Sequence, residues 1–239
     1  MVVCWVTVGV TLVDLAWSLR IEAGDPLFYP ATISLAVVLL LGTAAARWVS
    51  RGSHAPADAL IAEPAPAPSA TSRGHDRTRW DALDRRVTAW GGHPLPLGLA
   101  AGVAMLLLFL VGAAGVAQVP MLREPVQDLL DHARLGSLPV VLVITAVNGV
   151  AEELFYRGAL YDAYLRRRPL LVTSIVYTAV TAASGIPLLA LAALLLGIAC
   201  AVLRRATRGL VAPIACHLVW SIGMLLLLPP TLDLLETLR

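Results

Sequence analysis

Residues 138–158 read Leu138-Pro-Val-Val-Leu-Val-Ile144-Thr145-Ala-Val-Asn148-Gly-Val-Ala-Glu152-Glu153-Leu-Phe-Tyr156-Arg157-Gly158. The run is apolar, apart from Thr145 and Asn148, until it meets two adjacent glutamates and an arginine. With the residues up to 163 it has the length of a membrane-spanning helix, which needs about 20 apolar residues. A charge at bilayer depth costs at least about 2.5 kcal/mol, so it marks a functional site by default.

The rest of the chain agrees with a membrane setting. Of 239 residues, 58% are hydrophobic and 14% charged, and mean hydropathy is +0.78. A water-soluble domain of this size has too much surface for so few charges. This excludes an ordinary cytosolic enzyme, a disordered chain and a nucleic-acid binder. All 18 basic residues are arginines; without lysine there is no Schiff-base or P-loop chemistry. Cys4, Cys200 and Cys216 lie in apolar runs with no paired spacing, as small buried side chains do.

Seven apolar segments are candidate spans: 2–19, 29–48, 95–119, 138–163, 170–184, 187–203 and 209–228. The expected fold is all-α, a polytopic transmembrane helix bundle of about seven spans. The fifth segment is short and polar, and belongs at membrane depth only among other helices. The first lacks a basic leader and a cleavage site, and is read as a retained span. Arginine clusters follow spans two, four and six (Arg47 to Arg86, Arg166 to Arg168, Arg204 to Arg208), while the other loops are neutral or acidic. By the positive-inside rule the N-terminus is cytoplasmic and the C-terminus outside.

The chain divides into an N-terminal hairpin (1–48), an Ala/Pro/Arg-rich cytoplasmic linker (49–94), a span with an outer amphipathic helix (95–137), a core (138–228) and a tail (229–239). The linker's second half, Asp76 to Trp90, suits a short surface helix, and residues 121–135 an amphipathic one with Leu122, Leu129 and Leu130 on its apolar side. Asp128 and His132, spaced i,i+4 there, read as a surface hydrogen bond. Gly98 and Gly102 form a GxxxG that suits a close helix contact. Asp14, inside the first span, reads as a polar contact to another helix.

On a helix, residues four apart share a face, so Glu153 lies over Arg157 and Glu152 falls between Asn148 and Tyr156. Neighbouring carboxylates point about 100° apart, and two different tasks follow. Glu153 pairs with Arg157; Glu152 has no partner on its own helix, the profile of a carboxylate that activates water. The plainer alternative is that both only anchor the end of a span. His217, the one histidine inside a candidate span, shares a face with Ser221.

The stretch Glu152-Glu153-Leu-Phe-Tyr-Arg157 resembles the EExxxR motif of the CPBP family of intramembrane proteases, which includes type II CAAX prenyl proteases and bacteriocin-processing and immunity proteins. Leu203 to His217 resembles the family's last segment, and the similarity spans roughly 138–228. The resemblance implies an intramembrane endopeptidase in which Glu152 activates water, Glu153 and Arg157 shape the site, and His217 and Ser221 stand at the HxxxN motif. The second motif, FxxxH, reads Tyr177-Thr-Ala-Val-Thr181, so its histidine is Thr181. Threonine is neither a base at neutral pH nor an imidazole ligand. The resemblance leaves the cofactor open: either no metal or a divalent ion such as zinc, for which Glu152 and His217 are the available ligands. No HExxH occurs.

The expected reaction is peptide-bond hydrolysis on a membrane-associated peptide or protein, in a bacterial cell membrane and with lipid as the surroundings. The alternative, motivated by Thr181 and Ser221, is a catalytically impaired relative that binds a membrane partner or confers immunity. A transporter or proton relay ranks third, because neither a repeat nor paired broken helices are visible.

Overall fold

The computed structural model describes residues 1–52, 93–116, 120–164 and 168–237. The linker calls, including the helix over Asp76 to Trp90, lie outside the described residues, as do Arg166 and Arg167. Every element described is helical: α1 (Val2–Ser18), α2 (Phe28–Gly52), α3 (Pro94–Val116), α4 (Pro120–Leu135), α5 (Leu138–Glu152), a π-helical segment (Glu153–Leu160) closed by an α-turn (Tyr161–Ala163), α6 (Pro169–Ala182), α7 (Pro187–Thr207) and α8 (Val211–Thr237).

Among the described residues, five stretches are long and apolar enough to cross a membrane: Phe28–Arg51, Pro94–Ala113, Leu138–Ala163, Pro187–Thr207 and Val211–Leu235. The helices Val2–Ser18 and Pro169–Ala182 are apolar but shorter, at 17 and 14 residues. Large apolar side chains such as Val13, Val111, Val143 and Ile175 face outward, as they do where lipid is the solvent. The threonines of α6 are satisfied within the helix. Thr173, Thr178 and Thr181 each donate their hydroxyl to a carbonyl one turn back on the same helix.

The core has one continuous cluster around the π-helical segment. Phe155, Tyr156 and Leu160 pack with Cys4 and Val8 of α1, Leu35 and Leu39 of α2, and Tyr177 and Val180 of α6. A second cluster joins Leu196, Cys200 and Leu203 of α7 to Ala212 and Cys216 of α8. The three cysteines are buried and unbridged. Asp14 accepts a hydrogen bond from Ser34 at 2.7 Å, the interhelical contact that its place in the first span requires.

Three expectations change. The segment 138–163 is not one regular α-helix: at Glu153 it widens into π geometry for eight residues. The last span does not stop at residue 228, because α8 runs through Pro229 and Pro230 to Thr237. Packing explains this continuation, since Leu228 and Leu232, on either side of the prolines, bury against Ala113 and Leu130. The Asp128–His132 pair is not a surface contact between side chains. His132 is buried, with Nδ1 at 3.1 Å from the Asp128 carbonyl and Nε2 at 2.9 Å from the Ile21 carbonyl.

The GxxxG is a real close approach. A methyl on Gly98 would run into the Ala212 carbonyl, and one on Gly102 would lie 2.7 Å from Val219 Cβ and 2.8 Å from the Cys216 carbonyl oxygen. Backbone cannot yield as a flexible side chain does. Gly102→Ala should therefore lower stability by about 1–3 kcal/mol, read as an earlier unfolding midpoint in detergent; an unchanged midpoint would show that α3 and α8 separate freely.

Candidate active site

The site forms where α8 crosses the start of the π-helical segment. A π-turn inserts one residue into the helical repeat and recurs at functional sites. Within it the Arg157 carbonyl accepts a hydrogen bond from Arg204 Nε of α7 at 2.9 Å. Arg204 also reaches Asp162 at 3.1 Å and lies 5.3 Å from the centre of the Tyr161 ring. The arginine read as an orientation signal thus pins the widened turn.

Glu153 and Arg157 are both fully buried. Arg157 Nη1 donates to Glu153 Oε1 at 2.9 Å, as the i,i+4 spacing requires, and Nη2 donates to the Gly197 carbonyl at 3.0 Å. The guanidinium carbon stands 4.8 Å from the centre of the Tyr177 ring, a cation–π contact. Gly197 is needed here because a methyl would lie 3.3 Å from the Tyr177 ring and 3.5 Å from the guanidinium.

The same Glu153 oxygen accepts from His217 Nδ1 at 2.8 Å. A carboxylate paired with arginine is an acceptor, so the neutral imidazole carries its hydrogen on Nδ1 and presents a lone pair at Nε2. That nitrogen faces Glu152 Oε2 at 3.8 Å. Oε2 is shielded and has no hydrogen-bond partner among the described residues. The two carboxylates therefore differ as their spacing predicted: one is locked into an ion pair, and the other stands opposite an imidazole. Asn148, one turn before Glu152, donates to the Thr32 carbonyl at 3.0 Å and ties α5 to α2.

Of the six residues singled out by sequence, the structure brings four together: Glu152, Glu153, Arg157 and His217. The other two turn back on their own helices. Thr181 donates to the Tyr177 carbonyl at 3.0 Å, and Ser221 to the Leu218 carbonyl at 3.5 Å. Sequence reasoning missed Tyr177, Gly197 and Arg204; an aromatic one turn before Thr181 was visible, but its contact with a site on another helix was not.

Residues 134–223 match the family model described as type II CAAX prenyl endopeptidase Rce1-like. Over these residues the chain is similar to that endopeptidase family, a branch of the CPBP proteins. No curated protein and no solved structure matches the chain significantly. The Rce1-like region contains all six residues singled out by sequence, and α1, α2 and α3 lie before it.

A divalent metal does not fit this donor set. His217 Nδ1 is engaged by Glu153, which leaves Glu152 and His217 Nε2 as donors. The third-ligand position is a threonine bonded to its own helix, and no three-residue metal cluster occurs among the described residues. Zinc sites take three or four protein ligands.

The buried pair makes a stability prediction. Removing one partner of a buried ion pair strands the other charge and costs about 3–5 kcal/mol. Glu153→Ala should therefore cut the yield of folded, monodisperse protein sharply. Arg157→Lys keeps the charge but cannot serve both Glu153 and the Gly197 carbonyl, and should fall between wild type and Glu153→Ala in thermal melts.

Proposed function

We propose that this multi-pass membrane protein is an intramembrane endopeptidase that hydrolyses a peptide bond with water activated by Glu152. The observation that carries this reading is the pairing of Glu152 Oε2 with a His217 imidazole whose other nitrogen is fixed by the Glu153–Arg157 pair. A water between them donates one hydrogen to the Glu152 carboxylate and the other to the Nε2 lone pair, so its own lone pair is free to attack a carbonyl carbon. As the C–O bond forms, Glu152 takes the proton. It returns that proton to the amide nitrogen as the C–N bond breaks, and the products are a carboxylic acid and an amine. Glu153 and Arg157 keep the imidazole in one tautomer and one orientation. Exclusion of bulk water by the bundle strengthens each of these interactions.

The reading extends to seven spans with the N-terminus inside and the C-terminus outside a bacterial cell membrane, supported by the arginine distribution. The substrate class is a membrane-associated peptide or protein. A second reading is favoured by one observation: the Thr181 and Ser221 hydroxyls are committed to their own helices. On that reading the chain keeps the fold, binds a membrane partner and does not cleave it.

The test uses purified protein in lipid nanodiscs and an internally quenched, farnesylated CAAX peptide as probe. Cleavage should be lost by about a hundredfold or more in Glu152→Gln; full activity in that variant sinks the mechanism. If the wild type is inert and Thr181→His creates cleavage, the second reading stands.

A further inference from the structure

Glycine inside the helices of this bundle serves two different ends. At Gly98 and Gly102 an added methyl would strike the backbone of α8, so packing alone demands glycine there. Gly149, inside α5, is another case. A methyl on it would lie 3.4 Å from Leu218 Cδ2, 3.5 Å from His217 Cδ2 and 3.7 Å from His217 Nε2. These are ordinary contact distances, and alanine is the better helix former. Neither packing nor backbone conformation calls for glycine at this position.

What Gly149 faces is the reactive edge of the imidazole. His217 Nδ1 is taken by Glu153 at 2.8 Å, which leaves the lone pair at Nε2. The Cδ2–Nε2 edge looks onto α5 at Gly149, and Glu152 Oε2, one turn further along α5, stands 3.8 Å from the same nitrogen. Neither wall can retreat. The ring is pinned by Glu153 and flanked by Tyr177 and Trp220, with centroids 6.5 and 6.4 Å away. The α5 backbone is tied to α2 by Asn148, whose side chain donates to the Thr32 carbonyl at 3.0 Å. A side chain at 149 would therefore stay against Nε2.

We propose that Gly149 belongs to the active site through the space it keeps: with no side chain there, a small polar molecule reaches the Nε2 lone pair and Glu152 Oε2 together. On the endopeptidase reading, on which the catalytic consequence rests, that molecule is the attacking water. The space beside the ring edge does not depend on that reading. A methyl at 149 takes up part of this space and displaces the nucleophile from its line between the two groups.

Gly149→Ala tests this because stability and catalysis should respond in opposite directions. With the same quenched peptide in nanodiscs, kcat should fall about tenfold to a hundredfold with KM little changed, while the thermal midpoint holds or rises. A purely packing role predicts the converse, a lower midpoint with kcat unchanged. Wild-type kcat in Gly149→Ala, beside a dead Glu152→Gln, overturns the inference and leaves the endopeptidase reading intact.

If the wild type cleaves nothing, the endopeptidase reading fails and NMR of isotopically labelled histidine decides the matter. The His217 Nε2 resonance, assigned by its loss in His217→Gln, should move downfield in Gly149→Ala as the lone pair loses its water donor. An unmoved resonance overturns the inference.

Discussion

The site depends on one carboxylate that accepts from two directions. Glu153 is buried in an apolar bundle, where an isolated charge is costly. Arg157 neutralises it from the same helix, and His217 reaches it from α8. Without Arg157, Glu153 has no counter-charge. Without Glu153, nothing fixes which imidazole nitrogen faces Glu152. One ion pair, set by a four-residue spacing, thus fixes the electrostatics of two helices that are far apart in sequence.

The local geometry serves the same end. Widening the helix at Glu153 changes the angular relation between residues that regular spacing would have set. The carbonyl at Arg157 accepts from Arg204, so the irregular turn is tied to α7. Gly197 lets α7 approach closely enough for its carbonyl to accept from Arg157 and for Tyr177 to slide under the guanidinium.

Much of this was legible in residues 138–158 alone. The apolar run announced a buried helix, and the i,i+4 spacing of Glu153 and Arg157 announced their pair; both depend only on local periodicity. His217 was legible as the one imidazole inside a candidate span. What escaped was long-range. Thr181 and Ser221 were placed by motif position, yet a hydroxyl on a helix readily bonds its own backbone. The extension of α8 past Pro229 and Pro230 escaped because packing against Ala113 and Leu130 overrides proline's local preference. Tyr177 and Arg204 escaped because their partners lie on other helices.

The tight seat of α8 against Gly98 and Gly102 has a further meaning. The family match begins at residue 134, whereas those glycines sit well before it. The helix that delivers the imidazole therefore takes its footing from a segment beyond the recognisable region. Asn148 similarly leans on Thr32. Excising the recognisable region alone would remove both supports, so α2 and α3 are part of the scaffold that aligns the chemistry.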